Sequence, residues 1–144
     1  PKDVFDNATP SGNSVAADVL LRLALLIDRS DFREAAESAL RLLREPMASY
    51  PLAFARALNA LDFFLAEPKE IAIVGDAEAD DTRALLRAVF EPFLPNKVVA
   101  GGGAQIPLLE GREPRDGRAL AYVCEHYVCQ APTSEPEELR RLIS

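Results

Sequence analysis

Cys124-Glu125-His126-Tyr127-Val128-Cys129 is the sharpest local grouping of chemistry-bearing side chains in the sequence. Zinc takes Cys and His ligands, and a structural site usually needs four. The chain holds two Cys and one His, all in this stretch, so a closed zinc site would require a carboxylate as well. A redox pair is normally Cys-x-x-Cys, whereas Cys124 and Cys129 enclose four residues. On one extended strand the two sulfurs lie far apart and on opposite faces. A turn over residues 125–128 would bring them within disulfide reach, about 4.4–6.8 Å between Cα atoms. Structural thiols are the first expectation for Cys124 and Cys129, ahead of a disulfide and of a metal site. His126 reads as a hydrogen-bonded structural residue, and no metal is assigned.

A second grouping is Asp6-Asn7-Ala8-Thr9-Pro10-Ser11-Gly12-Asn13-Ser14, which puts six hydrogen-bonding side chains into one loop. Such residues cap helices and close turns. They also suit a loop lining a polar cavity that takes sugar-like hydroxyls. A third is Val74-Gly75-Asp76, between a strand pattern and a helix pattern, the position where open α/β sheets bind ligands. It carries no GxGxxG or Walker spacing. Asp76, Glu78, Asp80 and Asp81 would repel phosphate there but complement the helix dipole, so a solvated acidic helix start stands ahead of a cation site. Gly101-Gly102-Gly103 precedes no clear helix start and reads as a flexible loop.

These groups must be positioned by two differently patterned regions. Up to about residue 66 the chain reads as helix. The first helix spans about 14–28, with Ser11, Asn13 or Ser14 as cap. It is apolar nearly all round, interrupted by Asp18 and Arg22, so it calls for neighbours on more than one side. The second spans about 31–49, capped by Ser30 or Asp31 with Glu34 completing a box, and Pro46 is expected to end or kink it. The third follows Pro51 and runs to about Leu65.

From about residue 67 strands and helices alternate. Strands are expected at 70–75, 97–100 and 119–124, and a helix from Asp80 or Asp81 to about 90–93. A helical turn is expected near 106–109 and a last helix from Pro136 to Ile143. The strand–helix–strand crossover implies a parallel pair. The fold class is therefore α plus α/β, helical hairpins followed by a small, mainly parallel three- or four-stranded sheet with helices. The domains are 1–66 and 67–144.

The 144 residues carry 16 Lys+Arg against 23 Asp+Glu, a net charge of −7. Nucleic acid is excluded as a partner because phosphate binding needs a basic face. No polybasic segment holds an anionic membrane, and the apolar helix is too short and too charged to span one. Two Cys exclude a disulfide-dense secreted scaffold. The chain starts Pro1-Lys2-Asp3 without Met and continues in turn formers, so a fragment of a longer chain is expected.

Several segments together carry a family resemblance: residues 6–17 (DNATPSGNSVAA), 70–75 (EIAIVG), 93–99 (FLPNKVV), 106–112 (IPLLEGR) and 121–132 (AYVCEHYVCQAP). They resemble the C-terminal part of large thioredoxin-domain-containing proteins related to the spermatogenesis-associated thioredoxin-like protein and bacterial YyaL. The resemblance implies an N-terminal thioredoxin-like domain, then an α/α barrel similar to six-hairpin glycosidases and N-acylglucosamine 2-epimerases. Residues 1–66 would be the end of that barrel and 67–144 a small α/β appendage. It implies a carbohydrate ligand in the parent, with Asp6, Asn7, Ser11, Asn13 and Ser14 as ligand-contact candidates, and no cofactor. The fragment itself is expected to be inactive, with no readable catalytic residues. The alternative is an interaction module that docks on a thioredoxin domain or a partner chain. A weaker third reading is redox partnership through Cys124 and Cys129. The first helix, short of neighbours, predicts homodimerisation, and the expected location is the cytoplasm.

Overall fold

The computed structural model describes residues 4–125 and 128–144. The chain divides into two compact units, Pro1–Glu67 and Pro68–Ser144.

The first unit is helical. Its elements are α1 (Gly12–Leu26), α2 (Ser30–Ser49), a 3₁₀ turn (Pro51–Phe54) and α3 (Ala55–Leu65). Helix α1 packs against both α2 and α3. Ala17, Ala36, Ala57 and Ala60 are fully buried, and these small side chains let the helix backbones approach closely. Leu43, Met47, Phe54 and Ala57 form one apolar cluster. Phe5 lies on Phe54 with ring centroids 5.3 Å apart.

Two local expectations are corrected here. Helix α2 runs to Ser49, the expected end, so Pro46 does not end it. Met47, beyond the proline, is anchored in the apolar cluster, and Tyr50 N–H donates to the Pro46 carbonyl at 2.9 Å. The cap of α2 is Arg29, without a side-chain cap bond, rather than Ser30 or Asp31. The Asp31 carboxylate is held instead by Arg29, Nε at 2.7 Å and Nη2 at 2.6 Å.

The second unit contains β1 (Lys69–Val74), α4 (Asp80–Phe90), β2 (Lys97–Gly101), a 3₁₀ turn (Pro107–Leu109), β3 (Leu120–Glu125), β4 (Val128–Cys129) and α5 (Pro136–Ile143). The strand order is β2-β1-β3-β4. β1 and β2 are parallel, joined through α4, whereas β3 is antiparallel to β1 and β4 antiparallel to β3. The sheet is therefore mixed, not mainly parallel. The connection from β2 to β3 contains a 3₁₀ turn and no helix, whereas crossovers between parallel strands are usually helical.

Alternation along the strands sorts the two faces. Ile71, Ile73, Ala121 and Val123 pack with Leu85, Ala88 and Val89 of α4 and Leu139 and Ile143 of α5. Glu70, Ala72, Tyr122 and Cys124 alternate with them on the other face. Asp81 fastens α4 to the sheet, accepting from Thr82 N–H and from Ala119 N–H, each at 2.8 Å. These backbone donors, Ala119 first, hold its carboxyl below the ordinary value. Gly75 is tightly enclosed: a Cβ there would stand 2.5 Å from Thr82 Oγ1 and 2.7 Å from Ala119 Cβ.

Candidate functional site

The loop before α1 forms a clasp centred on Asp6. Its carboxylate accepts from three backbone N–H groups, Ser11 at 2.8 Å, Arg56 at 2.8 Å and Ala57 at 3.1 Å. Arg56 and Ala57 lie in the first turn of α3, where N–H groups lack intrahelical partners. Ser11 is the cap of α1: its Oγ accepts from Ser14 N–H at 3.2 Å and lies 2.8 Å from Ser14 Oγ. Asp6 N–H in turn donates to the Ala53 carbonyl at 2.8 Å. One carboxylate thus joins the start of α1 to the start of α3. Burial pushes its pKa up, but the donors from Ser11, Ser14, Ala57 and Arg56 outweigh it and hold the carboxyl below its ordinary value.

The clasp engages Asp6, Ser11 and Ser14 in internal bonds and buries all three. Asn7 is exposed and Asn13 half-buried. The five ligand-contact candidates are therefore brought into one loop, but as an inner structural set and an outer pair.

Asp18 is a buried acid that the sequence showed only as a break in the apolar run. It accepts from Arg22 Nε at 3.1 Å, one helical turn on, and from Arg56 Nη2. Arg22 also lies over the Phe63 ring, 4.4 Å from its centroid. The i, i+4 spacing of Asp18 and Arg22 was the available signal. Arg56, 38 residues away, carried none.

Beyond this cluster, α1 leaves an apolar strip uncovered. Val15 and Val19, one turn apart, are 38% and 43% exposed, and Ala16 beside them is exposed as well. The neighbours expected on several sides are thus supplied on two, by α2 and α3.

In the second unit Cys124 and Cys129 are joined by a disulfide, S–S 2.05 Å, which corrects the expectation of two structural thiols. The cause is β4: Cys124 and Cys129 are direct partners in the β3–β4 ladder. Gln130 N–H donates to the Val123 carbonyl at 2.9 Å, so the neighbouring Cys pair occupies a non-hydrogen-bonded position, where side chains approach most closely. Cys124 is buried and Cys129 exposed. Arg112 Nη2 lies 3.2 Å from both sulfurs. Its guanidinium is positioned by Nη1 on the Leu108 carbonyl and by the Tyr122 ring, 5.5 Å from the centroid. His126 lies outside the described residues. Among those described, no group of three or more His, Cys, Asp or Glu side chains is arranged to hold a metal ion.

Asp76, Glu78 and Asp81 at the start of α4 have protein partners. Asp76 accepts from Glu78 N–H at 3.0 Å, Glu78 pairs with Arg83, and Asp81 fastens the sheet. The loop after β2 turns through Gly102 and Gly103, at φ 70° and 73°, where glycine is favoured. The segment beyond it lines a cavity of about 430 Å³ with Ala104, Gln105, Ile106, Pro107, Leu109 and Glu110. No described helix is long and apolar enough to cross a membrane.

The two units thus define a helical module with a carboxylate clasp and a mixed α/β module with a disulfide-closed edge. No protein-family model and no solved structure matches the chain. Its sequence is similar to spermatogenesis-associated protein 20 of Homo sapiens, 37% identical over 150 aligned positions that include 99% of this chain. The Mus musculus protein of that name is 35% identical over the same share, and an uncharacterised protein of Caenorhabditis elegans is 27% identical over 96% of the chain. The chain spans about a fifth of the length of these relatives, 19% of the human protein and 20% of the worm protein.

Proposed function

We propose that this chain is an interaction module of a longer polypeptide, and that the Val15–Val19 face of α1 is its docking surface. The exposed apolar face carries the reading. Val15 and Val19 lie on a helix otherwise packed into a core, and each retains about two-fifths of its surface, 38% and 43%. Covering apolar surface on a helix face with a partner is favourable, which is why such faces serve association. The chain aligns over 99% of its length with proteins of which it spans 19%, so the occupant we propose is the remainder of the same polypeptide. The resemblance implies that this remainder holds a thioredoxin-like domain and an α/α barrel. In its absence the same face would pair with a second copy.

The test produces the remainder of the native gene product separately and measures its binding to this chain. Wild type binds, and a Val15→Lys/Val19→Lys variant that keeps its fold binds at least tenfold more weakly. Equal binding by both would reject the docking face.

A carbohydrate bound in the longer protein is the second reading, supported by exposed Asn7 and half-buried Asn13 beside the clasp. Calorimetric titration of the full-length gene product with monosaccharides checks it. Binding lost in Asn7→Ala and Asn13→Ala would favour it, and no heat with any sugar would remove it. In either reading this stretch performs no catalysis by itself, and the cytoplasm is its proposed location.

A further inference from the structure

We propose that the Cys124–Cys129 disulfide is a thiol-exchange site. A dithiol reductant enters at the Cys129 sulfur, and Arg112 holds the departing Cys124 thiolate. Three observations carry this. The two sulfurs differ in access, Cys129 lying exposed on edge strand β4 and Cys124 buried on β3. The guanidinium of Arg112 touches both sulfurs at 3.2 Å. It is fixed there by the Leu108 carbonyl and the Tyr122 ring, so the charge is in place before any bond breaks.

One thiolate of the dithiol attacks Cys129 Sγ along the S–S axis and forms a mixed disulfide. The Cys124–Cys129 bond breaks, and its electron pair leaves on Cys124 Sγ. The second thiol of the dithiol, having given its proton to water, attacks its own sulfur partner in the mixed disulfide. That closes the reductant as a disulfide and releases Cys129 as thiolate. The dithiol loses two electrons, the cystine gains two, and the two thiolates take protons from water. Reactivity in such an exchange depends on which sulfur is accessible and on how well the leaving thiolate is stabilised.

Cationic neighbours stabilise thiolates. Arg112 is the guanidinium that does so here, and it is opposed by Glu70. That buried acid occupies the register position beside Cys124 on β1, the same face of the sheet. Lys69 is paired with Glu125. Placement of Arg112 on the sulfurs therefore decides whether the Cys124 thiolate leaves easily.

The experiment treats the oxidised chain with dithiothreitol, traps thiols by alkylation at intervals and counts them by mass. The wild-type chain goes to two alkylated thiols. Arg112→Gln slows this about tenfold, and Arg112→Lys, which retains the charge, stays within about threefold of wild type. The single-Cys variants test direction independently. Cys124→Ser forms a mixed disulfide with oxidised glutathione at Cys129, and Cys129→Ser, left with the buried thiol, does so at least tenfold more slowly. Equal reduction of wild type and Arg112→Gln would overturn the role of Arg112. Equal capture by the two single-Cys variants would overturn the entry at Cys129, whatever the folding of the arginine variants.

Discussion

Replacing Asp6 by alanine removes a carboxylate that ties the start of α1 to the start of α3. The carboxylate accepts three backbone N–H groups, at 2.8, 2.8 and 3.1 Å. A hydrogen bond to a charged group contributes about 1.5–3 kcal/mol net, which would put three near 4.5 kcal/mol or above if they were independent. They share one side chain, and the Arg56 end is only partly buried, so water recovers part of the loss. Counted instead as two lost helix caps, the cost is about 2 kcal/mol. The expected destabilisation of the helical unit is therefore about 3 kcal/mol. Asp6→Asn keeps an acceptor oxygen without the charge and should lose about half as much. Native-state hydrogen exchange is the suitable assay, because it reads the amides of Arg56 and Ala57 directly and separates the helical unit from the sheet unit. Urea unfolding followed by circular dichroism gives the global figure. An Asp6→Ala chain within about 0.5 kcal/mol of wild type, with unchanged protection at Arg56 and Ala57, would refute the clasp and return Asp6 to the ligand-contact candidates.

Acid should weaken both units. Asp6 and Asp81 are each held below the ordinary carboxylate value, so their contribution is present above the unfolded value of about 4 and is lost as pH falls through the lower folded values. Stability measured from pH 6 downward should fall below about pH 4, and Asp6→Asn and Asp81→Asn should each flatten part of that fall. Gly75→Ala should destabilise the sheet unit by about 1–3 kcal/mol, because the new methyl meets Thr82 Oγ1 at 2.5 Å and Ala119 Cβ at 2.7 Å; thermal unfolding checks it, and a neutral result would show that α4 can move away from β1. Reducing the disulfide should lower stability by about 2 kcal/mol at most, since it closes a loop with only four residues between its cysteines. Denaturant midpoints with and without reductant measure this.

The helices were legible because their signals are local. The 3.6-residue pattern placed α1, α3, α4 and α5 within a few residues, and Ser11 was among the named caps. Tertiary packing overrode local rules at Pro46, where buried Met47 keeps the last turn of α2 helical. The parallel β1–β2 pair followed from the crossover through α4, but the place of β3 did not. Nothing in Leu120–Glu125 states that it lies antiparallel to β1, a neighbour about fifty residues earlier. β4 has two residues, too few for alternation to register. The disulfide depends on that short strand, so it stood among open alternatives. The clasp was half legible: the polar loop was evident, but the partners of Asp6 on α3 lie 50 and 51 residues away. Arg112 reaches its sulfurs over 12 and 17 residues and had no signal of its own.

The most direct test of the docking account is the affinity between this chain and the separately produced remainder of its gene product, measured for wild type and Val15→Lys/Val19→Lys. Fully burying a valine is worth about 1.5–3 kcal/mol, and about two-fifths of each side chain remains to be covered, from exposures of 38% and 43%. The two together would contribute about 1.5–2 kcal/mol, and an introduced lysine adds a desolvation cost. The account predicts at least a tenfold loss of affinity in the double variant, with its unfolding midpoint unchanged. A double variant that binds as tightly as wild type would contradict it.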